Sequence, residues 1–559
     1  MLELFAQNLA PIMFLSLILF LLLGYPVAFS LASNGLMFFV LAVTLSPYSD
    51  TITLDWPLLQ TLPGRVLDVM RNEQLLAIPF FTFMGIILER SRMAEDLLDT
   101  VGQLFGSVRG GLAYAVILVG ALLAATTGVV AASVIAMGLI SLPIMLRYGY
   151  DRSLATGVIT ASGTLAQIIP PSLVLIVLAD QLGRSVGDMY AGALLPGLML
   201  TLLYCAYVFA VTILRPASAP ALPAEARTLG SGAMQVFYLA LTGLVIAFVS
   251  WWLLQDVVVR GAGIWAASMA VAAVYCGAHL DILIGTHRLK RLAQQVVFVL
   301  MPPLALIFLV LGTIFLGLAT PTEGGAMGAS GALVLSFLKR RLNYATLSDA
   351  LDATTKLACF VMFILIGSRV FSLTFYGIEG HKWVEHLFLN LPGGEWGFLV
   401  AVNILVFILG CFIDFFEIAF IVIPLLAPVA ETLGIDLVWF GVIIAVNLQT
   451  SFLTPPFGFA LFYMRSIAPV KDYVDKVTGE TIAGVPTTQI YKGAVNFIFL
   501  QAIMIATVLA FPHLVIPKKA SEIDTRNIEI EIPGLGGELG GELVIPSAPD
   551  LSQPPVIEQ

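Results

Sequence analysis

Two pairs of adjacent prolines, Pro170-Pro171 and Pro455-Pro456, interrupt apolar runs long enough to cross a membrane, and no other feature limits the fold as much. A proline removes one backbone donor and clashes with the preceding turn. Two together remove two donors and leave carbonyls unpaired, at several kcal/mol each in hydrocarbon, unless a cation, water or a facing hairpin satisfies them. The breaks are also repeated. Pro143, Asp151 and Pro170-Pro171 recur as Pro428, Asp436 and Pro455-Pro456 at one offset. Gly85 and Gly110-Gly111 match Gly367 and Gly393-Gly394, and Gly24-Tyr25-Pro26-Val27-Ala28 resembles Ala319-Thr320-Pro321-Thr322-Glu323. Self-similarity on this scale predicts two related halves, residues 1–215 and 291–515. Residues 216–290 have no counterpart and read as a linker (Pro216, Pro220, Pro223) followed by two extra helices.

The solvent of this fold is lipid. Of 559 residues, 59% are hydrophobic and 11% charged, where soluble domains carry about 25% charge. Apolar runs that span about 30 Å of hydrocarbon predict helices over 8–23, 26–44, 66–90, 153–182, 188–213, 236–254, 262–283, 293–319, 321–339, 353–375, 436–468 and 487–512. The result is an all-α polytopic membrane protein. The net charge of −9 sits in loops and in an acidic tail, 516–559, whose composition predicts a flexible extension. No basic, aromatic stretch suggests nucleic acid. The first apolar run has no basic n-region or cleavage site and is expected to be a retained helix. Cys205, Cys276, Cys359 and Cys411 lie in apolar runs without ligand spacing, which predicts neither disulfides nor zinc.

Two further regions, 111–146 and 397–431, break in the middle, at Thr126-Thr127-Gly128 and at Gly410 to Asp414, and read as hairpins that enter and leave on one side. Arg90, Arg92, Arg109, Arg147 and Arg152 flank the first. Glu379, Glu385, Glu395, Glu431 and Asp436 flank the second, with Lys382 the only Lys or Arg there. The positive-inside rule then opens the first hairpin to the cytoplasm and the second to the outside, which makes the repeats inverted.

Inverted repeats with interrupted helices mark secondary transporters, whose sites lie near the midplane. Hydroxyl and carbonyl oxygens beside the breaks are hard ligands suited to Na⁺. A first Na⁺ site is expected from Thr126, Thr127, Gly128, Ser162, Gly163 and Thr164, and a second from Asp414, Thr450, Ser451 and Thr454. The competing reading is that these hydroxyls back-bond within their helices. Asp414 and Glu417 are intramembrane carboxylates and so functional candidates. Arg369 is expected either to neutralise one of them or to meet an anionic substrate, and Ser172, Arg369 and Glu417 are taken as substrate-proximal. Thr320-Pro321-Thr322-Glu323 predicts a capping box, with Thr320 as N-cap, Pro321 at N1 and Glu323 at N3. No nucleophile–base pair, phosphate loop or Walker motif occurs, so neither an enzyme nor an ATP-driven pump is expected, and Na⁺ is the only ion called for.

In order along the chain, Ile169-Pro170-Pro171-Ser172, Gly317-Leu318-Ala319-Thr320-Pro321-Thr322-Glu323-Gly324-Gly325-Ala326, Gly434-Ile435-Asp436 and Phe452-Leu453-Thr454-Pro455-Pro456-Phe457-Gly458 resemble signatures of the large membrane (permease) subunit of tripartite ATP-independent periplasmic (TRAP) transporters. The stretch from Asn447 to Tyr463 resembles the branch named for mannitol and chloroaromatic compounds. The resemblance spans nearly the whole chain except 216–290 and the tail. It implies an ion-transporter-superfamily-like elevator in the bacterial inner membrane, coupled to Na⁺. It also implies a small four-helix membrane subunit and a periplasmic substrate-binding protein as partners, and import of small organic acids such as 2-oxo acids and other monocarboxylates. Many relatives have a Ser-Gly-Ser-Ser-like first hairpin tip where this chain has Thr127-Gly128-Val129-Val130. The other function open to such a chain is a self-sufficient Na⁺/anion symporter with no binding protein.

Overall fold

The computed structural model describes residues 2–49, 52–230, 232–255, 262–285, 288–475 and 477–516, and the side chains within these except those of 2–4 and 125–127. The predicted tail beyond 516 lies outside the described residues. The first half contains α1 (Leu9–Leu22), α2 (Val27–Leu45), α3 (Ala77–Arg90), α4 (Met93–Leu104), α5 (Gly111–Thr127), α6 (Val130–Arg147), α7 (Arg152–Thr164), α8 (Leu173–Gln181) and α9 (Val186–Leu214). Two helices without counterpart follow, α10 (Ala233–Leu254) and α11 (Ala262–Leu283). The second half then runs through α12 (Arg291–Phe315), α13 (Pro321–Leu338), α14 (Tyr344–Gly377), α15 (Gly380–Leu389), α16 (Gly394–Gly410), α17 (Phe415–Thr432), α18 (Leu437–Phe452), α19 (Phe459–Ile467) and α20 (Thr487–Ala510). Nine of the described helices are long and apolar enough to cross a membrane, or up to eleven if each bent pair is one span. The protein is an all-α polytopic membrane protein.

The repeated order rests on repeated local chemistry. Asp151 caps α7 by accepting from Leu154 N at 3.0 Å, and Asp436 caps α18 by accepting from Val438 N and Trp439 N at 2.9 Å. Gly110 and Gly393 precede α5 and α16 with φ of 77° and 100°, a conformation that costs glycine little. Arg92 and Glu379, both at φ 56°, precede the short amphipathic helices α4 and α15. These two helices are too polar for the span pattern, which passes over them. The predicted span 66–90 is likewise shorter than expected. Asn72 Oδ1 accepts from Gln74 N at 3.0 Å and Asn72 Nδ2 donates to Asp180 at 2.6 Å, so the chain turns there and leaves Leu62–Met70 as a separate short helix.

The halves interlock by exchange. Helix α2 packs on α14 while its counterpart α13 packs on α3, and α7 packs on α20 while α18 packs on α9. Glycines set the closest approaches. A Cβ on Gly367 would lie 2.5 Å from the Ala28 carbonyl oxygen, and one on Gly157 would lie 2.6 Å from that of Gly493. Small residues at such crossings let backbones meet where lipid offers no hydrophobic drive for helix association.

One element has no signal in the span pattern. Between α19 and α20 the chain forms an antiparallel ribbon, β1 (Tyr473–Val474) and β2 (Thr481–Ile482). Arg147, at the end of α6, grips Asp475 of the ribbon with two bonds of 2.9 Å, and Arg152 donates to Gly484 O at 2.8 Å. The Arg147 guanidinium holds the buried Asp475 carboxyl well below the usual carboxylate range. A depressed carboxylate contributes stability above its unfolded pKa of about 4, and loses it as pH falls toward and through the lower folded value. Asp475→Asn should therefore flatten the acid limb: between about pH 5 and about pH 3 the wild-type thermal midpoint should fall more steeply than that of the variant. Equal slopes would show that the pair carries no pH-dependent stability.

Candidate functional site

Pro170-Pro171 and Pro455-Pro456 both sit at true helix breaks, whereas a third pair, Pro302-Pro303, lies inside the unbroken helix α12. After α7 the chain tightens into a 3₁₀ turn, Leu165–Gln167, passes through a cis Pro170-Pro171 bond and restarts as α8. After α18 it passes through a cis Pro455-Pro456 bond and restarts as α19. The freed carbonyls find protein partners in both halves. Ser172 Oγ donates to Gln167 O at 2.9 Å, and the Tyr190 hydroxyl of α9 lies 3.5 Å from Ser172 O. In the second half the Tyr491 hydroxyl of α20 donates to Pro456 O at 3.2 Å. A tyrosine from the corresponding helix thus serves each break.

Each hairpin seats its tip on the break of its own half. Helices α5 and α6 bracket Ser162-Gly163: a Cβ on Gly120 would fall 2.6 Å from Ser162 Cβ, and one on Gly163 would fall 2.3 Å from Val134 Cγ2. The tip residue Gly128 has φ 59°, and a Cβ there would lie 2.9 Å from Cγ of Leu173, the first residue of α8. The side chains of Thr126 and Thr127, two of the predicted ligands, lie outside the described residues. In the second half a Cβ on Gly410 would fall 2.2 Å from Ser451 Oγ. Asn447 Nδ2 donates to Asn403 O and Oδ1 of α16 at 2.7 and 2.9 Å. The ring of Phe412 meets that of Phe457, just past the prolines, at 5.4 Å.

The predicted ligand hydroxyls do back-bond. Ser162, Thr450, Ser451 and Thr454 donate to helix carbonyls at 2.6, 3.0, 2.8 and 2.9 Å. A hydroxyl that donates its hydrogen keeps oxygen lone pairs, so back-bonding and ligation are compatible. Asp414 and Glu417 form a reciprocal capping box at the start of α17: Asp414 Oδ1 accepts from Phe415 N at 2.7 Å and Glu417 Oε2 accepts from Asp414 N at 3.2 Å. The stretch that follows, Ile418–Val422, is π-helical, a geometry frequent at functional sites. The other predicted box also closes. Glu323 N donates to Thr320 Oγ1 at 3.2 Å, Thr320 N donates to Glu323 Oε2 at 2.8 Å, and Pro321 holds N1.

Three expectations need correction. Arg369 neutralises neither Asp414 nor Glu417; it is exposed and forms no ion pair among the described residues. Backbone amides at a helix N-terminus, where the helix dipole favours negative charge, meet these carboxylates instead. Ser172 is fully buried and donates its hydroxyl hydrogen to Gln167 O, and no hydrogen bond or ion pair joins Ser172, Arg369 and Glu417 to one another among the described residues. Thr164 turns away from the hairpin. Its Oγ1 donates to Ala161 O at 2.9 Å and accepts from Gln449 Nε2 and Gln501 Nε2 at 3.2 and 3.4 Å. One hydrogen and two lone pairs are then all used, and Thr164 has nothing left for a cation.

What Thr164 joins instead is a buried polar cluster shared by the two halves. Thr164 and Gln449 stand 285 positions apart, the offset of the prolines, so equivalent residues of the two halves meet face to face. The Tyr204 hydroxyl accepts from Gln501 Nε2 at 2.7 Å and from Gln449 Nε2 at 3.4 Å. Gln449 Oε1, Gln501 Oε1 and both amide atoms of Gln167 are buried with no partner among the described residues. Buried groups of this kind are ordinarily satisfied by water or an ion. Sequence reasoning passes over Gln167, although a lone amide in an apolar run three residues before a double proline is a readable signal.

Comparison with known proteins follows the same residues. A family model described as the DctM component of the tripartite ATP-independent periplasmic transporter matches residues 14–514. The C4-dicarboxylate TRAP transporter large permease protein DctM of Pseudomonas aeruginosa is 29% identical over 413 residues, covering 73% of this chain and 81% of that one. The isethionate TRAP transporter permease protein DctMQ of Oleidesulfovibrio alaskensis is 25% identical, over 85% of this chain and 63% of that one. The ectoine TRAP transporter large permease protein TeaC of Halomonas elongata is 24% identical, over 90% and 97%. The solved YdaH transporter of Alcanivorax borkumensis superposes with a TM-score of 0.49 at 13% identity, covering 87% of this chain and 100% of that one.

The central cluster makes a stability prediction. Thr164→Val strands two buried amide N–H groups and should cost about 1–3 kcal/mol in reversible unfolding. Adding Gln449→Leu should recover part of that cost, since the two side chains serve each other. Strictly additive effects in the double-mutant cycle would show that they are uncoupled.

Proposed function

The chain belongs to the DctM family of tripartite ATP-independent periplasmic transporters, and from that membership we propose that it is the Na⁺-coupled permease of a binding-protein-dependent importer of small organic acids. As a TRAP large permease it is a subunit of a multi-pass secondary transporter of the inner membrane and not an enzyme. TRAP large permeases work with a small membrane subunit and a periplasmic binding protein, and both are the proposed partners here. The relatives' names carry C4-dicarboxylate, isethionate and ectoine. Each is a small molecule with a carboxylate or sulfonate, which favours an organic anion as cargo. The 2-oxo acid or monocarboxylate class, and the mannitol/chloroaromatic branch, rest on the Asn447–Tyr463 resemblance.

The observation that carries the coupling proposal is the seating of each hairpin tip on the proline break of its own half. Around the first break the donor set is Gly128, Ser162 and Gly163, with the stranded Gln167 amide beside them; around the second it is Asp414, Thr450, Ser451 and Thr454. Neutral oxygens plus one carboxylate suit a small hard cation. In the elevator we propose, hairpins and broken helices travel together because they are packed on one another, and the remaining helices form the scaffold.

Uptake by the reconstituted complex should require an inward Na⁺ gradient and the binding protein. Full-rate uptake without the binding protein would favour the self-sufficient symporter. Asp414→Asn should raise the Na⁺ concentration for half-maximal uptake by at least about tenfold while the complex still assembles. Thr164→Val should leave that concentration unchanged. Wild-type Na⁺ activation in Asp414→Asn would restrict that carboxylate to capping α17.

A further inference from the structure

We propose that the cavity at the polar ends of α9 and α20 binds one anionic glycerophospholipid, its phosphodiester held between Arg215 and Lys492. The cavity has a volume of about 310 Å³, and its polar lining includes Asp151, Tyr207, Arg215, Ser218, Lys492 and Asn496. Arg215 follows the last residue of α9 and Lys492 lies near the start of α20. The chain has 27 basic residues against 36 acidic ones, so two cations sharing one cavity without an ion-pair partner among the described residues stand out. One carboxylate, Asp151, shares the lining and caps α7 by accepting from Leu154 N, and against it Arg215 and Lys492 leave the cavity one positive charge in excess. Tyr207 Oη accepts from Asn496 Nδ2 at 2.8 Å, which leaves its own hydrogen to donate to an anion.

The surroundings select a lipid over a soluble anion. From this cavity the outer faces of α9 and α20 run on as exposed apolar surface: Leu202, Phe209 and Leu214 on one, Phe499 and Ile503 on the other. The rings of Tyr204 and Tyr207 close on Phe497 at 5.1 Å and hold the two helices side by side. A phosphodiester at the cations would lay its acyl chains along that seam, as expected of basic pockets between membrane helices. The seam matters because α9 and α20 carry Tyr190 and Tyr491, which serve the two breaks. A lipid bridging Arg215 and Lys492 clamps the pair of helices that brace both of them.

The test uses the purified full-length chain in phosphatidylcholine nanodiscs, titrated with phosphatidylglycerol, inorganic phosphate or glycerol 3-phosphate, and read by native mass spectrometry and thermal midpoint. Wild type should retain one phosphatidylglycerol and gain thermal stability from it. At about one kcal/mol per basic residue near the surface, losing one cation should weaken binding about fivefold and losing both about thirtyfold. Arg215→Ala and Lys492→Gln supply the single variants and their combination the double one. Lys492→Arg should retain the lipid, and Arg288→Ala, far along the chain, should not affect it. Should the double variant unfold, Lys492→Gln alone carries the test, since that side chain is exposed. Equal retention of phosphatidylcholine, binding of either soluble phosphate as tightly as phosphatidylglycerol, or unchanged binding in Lys492→Gln would each overturn the proposal.

Discussion

The hairpins and the helices around them answer to the backbone groups freed at Pro170-Pro171 and Pro455-Pro456 in a medium that offers them no water. A soluble protein could expose such a break, but here each must be enclosed by other parts of the chain. That requirement accounts for the hairpins, whose tips rest on the breaks, and for Tyr190 and Tyr491, whose hydroxyls reach the carbonyls of Ser172 and Pro456. It also accounts for the crossed packing. Helix α20 lies against α7 and α9 against α18, so each half contributes to the enclosure of the other.

The twofold relation between the halves becomes physical at Thr164 and Gln449. On such an axis equivalent positions meet each other. The hydroxyl of one half accepts from the amide nitrogen of the other, and Tyr204 and Gln501 bond to the same groups. Buried polar networks of this kind favour one arrangement over sliding alternatives, because a shift by one residue would strand every member.

The sequence pattern exposes what depends on strong local preferences. Double prolines, the aspartates that cap α7 and α18, the glycines before the hairpins and the Thr320 capping box each act within a few residues, and each is readable. Helices α4 and α15 escape because they are amphipathic and lie below any hydropathy threshold for spanning. The ribbon around Asp475 escapes because its partner, Arg147, is far away in sequence. The same reasoning explains the errors at the site. Residue type alone makes Arg369 look like a counter-ion and Thr164 like a ligand, but rotation about the helix axis decides where a side chain points. Helix α7 is buried on every side from Leu154 to Thr164, so no solvent-facing stripe in its sequence marks which way Thr164 points.

The repeat copies a scaffold and not a chemistry. At the offset that matches the prolines, Asp414 corresponds to Val129, Thr450 to Leu165, Ser451 to Ala166 and Thr454 to Ile169. Conversely, Ser162 and Thr164 correspond to Asn447 and Gln449, which bind protein groups. The oxygen clusters therefore sit at different depths relative to their breaks, and only the second includes a carboxylate. In the coupling we propose, two oxygen sets that differ so much in charge would not hold Na⁺ equally well, because desolvating the ion is repaid far better by a charged ligand than by hydroxyls alone. The acidic site beside α17 should accordingly bind first, and the neutral one should depend more on its hairpin being closed.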